Sequence, residues 1–203
     1  MKKKIKIAIL LILLSSTLIA CSSYKKVTNT RNLKNYEYTL TKTIEINGTE
    51  EIIKEKGYVK DGIEKRIIND SDTIYLESTK QGSFIYKENE TGDYIRKRIP
   101  DSMSSYLNLI DSNWITYEKG NIVLNDNANI KILRMLHIHK YLADDVEMKT
   151  FDYTDNDKYI TSLNVTFDLL KGKEVVGNAT IEYTIDNVNT IKDIKLPNLK
   201  ERD

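Results

Sequence analysis

The sequence predicts an α+β fold, an antiparallel β-sheet with about two short helices, behind an N-terminal export segment. Three observations predict it. Apolar and polar residues alternate with a period of two through much of the chain, turn-forming pairs such as Asn47-Gly48 and Asp61-Gly62 interrupt the alternation, and two stretches switch to helical spacing. The composition agrees. A chain of 203 residues, 40% apolar and 30% charged, supports one core, while 2 Pro and 8 Gly exclude a linker-like or collagen-like chain and a single Cys excludes a disulfide scaffold.

The export segment comes first. Lys2, Lys3, Lys4 and Lys6 form a basic start, Ile7 to Ile19 are almost purely aliphatic, and Leu18-Ile19-Ala20-Cys21 closes the stretch with a small residue and a thiol. The apolar run is about thirteen residues, short of the roughly 20 that cross a bilayer as a helix. Leu18 to Cys21 resemble the lipobox of bacterial lipoproteins. That resemblance implies lipid transfer to the Cys21 thiol, cleavage after Ala20, and anchoring of the chain to the extracytoplasmic face of a membrane. Two or three acyl chains hold a protein stably where one is marginal. The expected organisation is a cleaved signal over 1–20, a polar tether over 21–35, and one domain over 36–203. Cleavage leaves 183 residues with 27 basic against 30 acidic side chains, a mildly acidic balance that argues against nucleic acid as a partner.

Within the domain, Tyr36, Tyr38, Leu40, Ile44 and Ile46 alternate with polar residues, with Lys42 out of phase, and predict the first strand. Asn47-Gly48 predicts a hairpin into a return strand over about 50–60, whose alternation is too poor to set its register. Strands follow at 63–68, 73–77, 83–87 and 93–99, separated by clusters of turn formers, so the six make an antiparallel meander. After Pro100, Met103, Tyr106, Leu107 and Ile110 fall at helical spacing behind the capping residues Asp101 and Ser102. Residues 114–118 and 122–125 predict a hairpin about Gly120-Asn121. A second helix over about 128–140 is favoured by Lys131, Leu133, Arg134, Met135 and Leu136, with capping from 126–129, although Ile130, Ile132, Leu136 and Ile138 also permit a strand. Four more strands are predicted at 146–153, 159–169, 175–185 and 190–196. A turn through 170–174 pairs Leu169 with Val175, Phe167 with Gly177, Val165 with Ala179 and Leu163 with Ile181, leaving space beside the small residues for a helix or a cavity.

This order of elements behind a lipobox resembles the LolA-like half-barrel, over about 36–196. The resemblance implies a curved antiparallel sheet with the helices packed on its concave face and a hollow that takes up acyl chains. The long amphipathic helix that precedes the first strand in that family is missing here, and no binding residue transfers individually.

Chemistry is sparse. No nucleophile elbow, phosphate loop or HExxH is present, and Cys21 is committed to lipid, so no catalytic residue, metal ligand or cofactor is expected. On a helix His137 and His139 lie on different sides and cannot share a metal, while on a strand they would share a face; His137 continues the stripe of Ile130 and Leu133 as a core or boundary residue. Asp152, Asp155 and Asp157 lack the glycine and late glutamate of a calcium loop and read as a solvated turn. Arg96, Lys97 and Arg98 read as a charged edge strand or as a contact for anionic headgroups. The expected function is a membrane-anchored, non-enzymatic lipoprotein that binds a hydrophobic ligand such as a lipid, the alternative being an envelope protein interaction or sensory module of the same fold.

Overall fold

A computed structural model describes residues 25–100, 114–118, 121–125 and 127–199. The first element among the described residues is a helix over 25–31, α1. Six strands follow: β1 (Asn35–Ile46), β2 (Thr49–Lys60), β3 (Ile63–Ile68), β4 (Asp72–Thr79), β5 (Gly82–Glu88) and β6 (Tyr94–Ile99). A small hairpin, β7 (Ile115–Glu118) and β8 (Asn121–Leu124), leads to α2 (Ala128–Met135), and three long strands close the fold: β9 (Asp145–Asp155), β10 (Ile160–Lys171) and β11 (Glu174–Asp186). Nine strands form one antiparallel sheet in the order β6-β5-β4-β3-β2-β1-β11-β10-β9. The sheet is open, with β6 and β9 at its edges, and gives the curved α+β half-barrel expected. The expected helix over Met103 to Ile110 and the signal with Cys21 lie outside the described residues.

The alternation in β1 buries Tyr36, Tyr38, Leu40, Lys42 and Ile44 on one face. Lys42 is therefore in phase, contrary to the expectation, because a carboxylate meets it inside. Asn47 and Gly48 both take positive φ, 52° and 76°, as a two-residue hairpin turn requires. The register of β2 follows from that turn, with Tyr38 opposite Gly57 and Leu40 opposite Glu55. Its inward positions are Glu51, Ile53, Glu55, Gly57 and Val59, so the core phase carries charge and a glycine, which is why no alternation is legible there. A Cβ at Gly57 would overlap the Tyr38 ring.

The closing strands differ from expectation in register. Leu163 pairs with Tyr183, Val165 with Ile181, Phe167 with Ala179 and Leu169 with Gly177, two residues from the expected pairing but on the same face. The turn is the tight pair Gly172-Lys173, with Gly172 at φ 63°, and an irregularity between Leu169 and Leu170 absorbs the difference. Gly177 leaves no hollow. A Cβ there would meet the Glu45 carbonyl and Ile46 Cα, so close backbone approach demands glycine, while the space opposite Phe167 is filled, since Ala179 is fully buried. The strand expected at 190–196 does not form. Asn187 and Asn189 adopt left-handed conformations, and the Asn35 side chain binds both the carbonyl and the N–H of Ile191, so the segment lies across Tyr58, Lys65 and Tyr75 as irregular chain.

Part of the stretch expected as a tether is folded. Val27 and Thr30 of α1 are buried, Thr30 Oγ1 accepts the Ile160 N–H at 2.6 Å, Asn29 donates to the Lys158 carbonyl, and Lys26 pairs with Asp155 at 2.9 Å. The folded domain thus begins by residue 25. Helix α2 forms as favoured but stops at Met135. His137 turns left-handed (φ 59°), and the Ile138 and His137 N–H groups bond back to the Leu133 and Arg134 carbonyls, a Schellman stop. No side chain caps its start: Asn127 is itself left-handed, and Asn129 is engaged with Asp145. Its buried residues are Ala128, Ile132 and Leu133, whereas Ile130 is exposed.

Helices α1 and α2 and the β7-β8 hairpin share one apolar core with β1 and β9 to β11, centred on Leu40, Ile132, Leu136, Phe167, Leu169 and Ile181. Each such side chain contributes about 1.5–3 kcal/mol on burial. Both sheet edges are blunted. Lys149 is an extra residue in β9 where the pairing steps from Thr166–Thr150 to Phe167–Met148, and β6 carries Arg96, Lys97 and Arg98 and a bridge from Tyr94 to Leu199.

Candidate functional site: the inner face of the sheet

Direct cross-strand partners share a face, so the register sorts the sheet residue by residue. On the β1, β11, β10 and β9 half, the inner face is apolar and packed by the elements above. On the β3 to β6 half it presents Ile68, Ile74, Leu76, Ile85, Ile95 and Ile99, with Lys87 opposite Ile95 and Lys97 opposite Ile85. Leu76 is buried, the five isoleucines are half-buried, and both lysines are exposed. None of these six apolar residues belongs to the main core cluster. They form a second apolar surface with cations rising from it.

Charged groups separate the two halves. Lys42 Nζ lies 2.9 Å from Glu55 Oε1, with side chains 1% and 3% exposed. Beside them Tyr38 donates to Glu64 Oε1 at 2.5 Å, and Arg66 donates to the same carboxylate through Nε at 2.5 Å and a second nitrogen at 3.2 Å. Tyr38 stacks on Tyr183 at 5.0 Å, and burial pushes the Tyr183 hydroxyl well above its ordinary pKa, with Tyr36 and Tyr38 adding to the effect. This arrangement can hold charge away from water and fix the strands; its acids and bases are matched to one another. Sequence reasoning missed it because Lys42, Glu55, Glu64 and Arg66 come from three strands, and the only local sign was a polar residue in the apolar phase of β1.

Of the residues singled out from sequence, His137 lies within reach of these charges and the others fall elsewhere. His137 lies at the end of α2, partly exposed; burial first, and then the Lys42 charge, hold it below its usual pKa. It is therefore a boundary residue rather than a core one, and it lies past the end of the helix that carries Ile130 and Leu133. His139 stacks on exposed Tyr141. Asp155 is occupied by Lys26 and by the Asp157 N–H, which hold its carboxyl below the usual range, whereas Asp152 faces the opposite side of the sheet. Among the described residues no group of acids and histidines is placed to hold a metal, and no helix is long and apolar enough to cross a membrane. The run 96–98 is divided: Lys97 points inward, while Arg96 stacks on Phe84 at 3.6 Å and pairs with Glu77 on the outer face. That outer face also holds a trough of about 460 Å³ lined by Thr39, Thr41, Asp152, Asn164, Glu182 and Thr184.

No protein-family model matches the chain, and no curated protein matches it. Among solved structures it is similar to a LolA superfamily protein from Nitrosomonas europaea (TM-score 0.46, 7% identity, covering 85% of this chain and 94% of that one). It is also similar to a DUF1329 family protein from Desulfovibrio piger (0.43, 11%, 84% and 93%) and to LprF from Mycobacterium bovis (0.39, 10%, 86% and 93%).

Proposed function

We propose that the chain is a membrane-anchored extracytoplasmic lipoprotein, held by lipid on Cys21, that binds a hydrophobic ligand such as a lipid without catalysing a reaction. The observation that carries the reading is the second apolar surface on the inner face of β3 to β6, six aliphatic side chains outside the main core. Such a surface is stabilised by an apolar occupant at about 25 cal/mol per Å² removed from water. Lys87 and Lys97 suit a ligand with an anionic head.

The test uses residues 22–203 produced without the signal, examined by native mass spectrometry and by displacement of a fluorescent fatty acid. Expected is a co-purifying apolar ligand and probe binding that Ile85→Asp abolishes. Absence of both sinks the reading. A second reading, an envelope protein interaction module, is favoured by the trough on the outer face, and predicts a crosslinked protein partner that Glu182→Lys releases.

A further inference from the structure

The turns of the nine-stranded sheet fall at its two ends, and charge divides between them. At one end lie 45–51, 68–72, 87–93, 143–147 and 171–174, carrying twelve carboxylates against three lysines. At the other lie 60–63, 79–82, 98–99, 155–160 and 186–193, together with 25–34, which docks there through Lys26–Asp155 and Thr30–Ile160. These carry nine lysines and arginines against five acids. The near-neutral sequence thus folds into a strongly polarised body, basic where the N-terminal chain enters it.

We infer that the basic end is a docking surface for anionic lipid headgroups, so that the domain stands end-on on the membrane with its acidic end outward. The inference rests on the proposed acylation of Cys21. Lys25 stands four positions after Cys21, and at about 3.5 Å per position the span is at most about 14 Å, so an anchored chain holds this end beside the bilayer. Charge complementarity then selects the face: Lys25, Arg31, Lys34, Lys80 and Lys158 are exposed there. The acidic end is roughly 40 Å away along the twelve-residue β1, several screening lengths at physiological salt, and does not oppose the contact.

The test uses the full chain, acylated in cells and reconstituted into vesicles, with a fluorophore on Gln81→Cys at the basic end or Glu90→Cys at the acidic end and a quencher on lipid headgroups. In vesicles containing phosphatidylglycerol, quenching is several-fold stronger at position 81 than at 90. The difference shrinks in high salt and in pure phosphatidylcholine, and Lys34→Gln, Lys80→Gln and Lys158→Gln each weaken the anionic-lipid component roughly fivefold. Equal quenching at both positions, or no dependence on anionic lipid, overturns the inference. Intact mass reports acylation of Cys21 separately: an unmodified cysteine sinks the anchor. In that case low-salt binding to the same vesicles with the same asymmetry still supports the end-on contact, and its absence overturns it.

Discussion

Lys42 and Glu55 meet at 2.9 Å on the inner face of the sheet, one strand apart, with almost no solvent at either side chain. Their partnership is diagonal, since Glu55 stands directly opposite Leu40 and Lys42 opposite Ile53. Desolvating two charges is expensive, and loss of either partner strands the other in a poor dielectric. Lys42→Met or Glu55→Leu alone is expected to cost about 3–5 kcal/mol in urea unfolding, while the pair exchanged together is close to neutral. A double variant as unstable as the sum of the singles would show that the pair does not interact in this way.

Gly57 faces the Tyr38 ring with no room for a Cβ. Gly57→Ala should lower stability by about 1–3 kcal/mol through overpacking, and Tyr38→Leu in the same chain should recover part of that loss, a coupling readable in a double-mutant cycle.

Thr30 fixes α1 to the sheet, accepting from the Ile160 N–H and donating to the Lys26 carbonyl. Thr30→Val leaves a buried N–H unsatisfied, at about 1–3 kcal/mol. Faster hydrogen exchange at Ile160, restored by Thr30→Ser, is the expected signature; unchanged exchange would place the strength of the attachment elsewhere.

Tyr86 is buried and bonded to Glu77 at 2.6 Å, and its pKa is pushed up to about 12, first by burial and then by that bond. Because the folded value exceeds the ordinary 10.0, the stability it contributes is complete below pH 10 and is lost as pH rises through about 12. Ultraviolet titration, differenced against Tyr86→Phe, should show a hydroxyl ionising near pH 12, and Glu77→Gln should lower that midpoint.

Most strands were legible because β1, β10 and β11 keep most of their apolar residues in one phase, and because Asn47-Gly48 and Asp61-Gly62 supply the left-handed conformations that hairpin turns need. Legibility failed where a polar contact substituted for an apolar one. Lys42 broke the pattern of β1 and Glu51, Glu55 and Gly57 hid that of β2, since period counting cannot see a partner on another strand. Ile191 and Ile194 mimicked a strand, but the Asn35 side chain holds their segment in irregular form. Helix α1 was missed in a polar stretch, although Val27, Thr30 and Leu33 recur at three-residue spacing and all turn toward the domain. The apolar residues of the inner face were present in the strand pattern; which of them lie outside the main core depended on the sheet order.

The extra Lys149 in β9 bears on how many copies of the chain can lie side by side. An open sheet exposes a strand at each margin, and a crowded population of such sheets tends to join margin to margin into fibres. At β9 the step in pairing throws the backbone out of line, and Lys149 binds inward to Asp168 at 3.1 Å. At β6 the chain's own Leu199 occupies the margin beside Tyr94. The fold therefore carries at each margin a feature that disfavours joining of one sheet to the next.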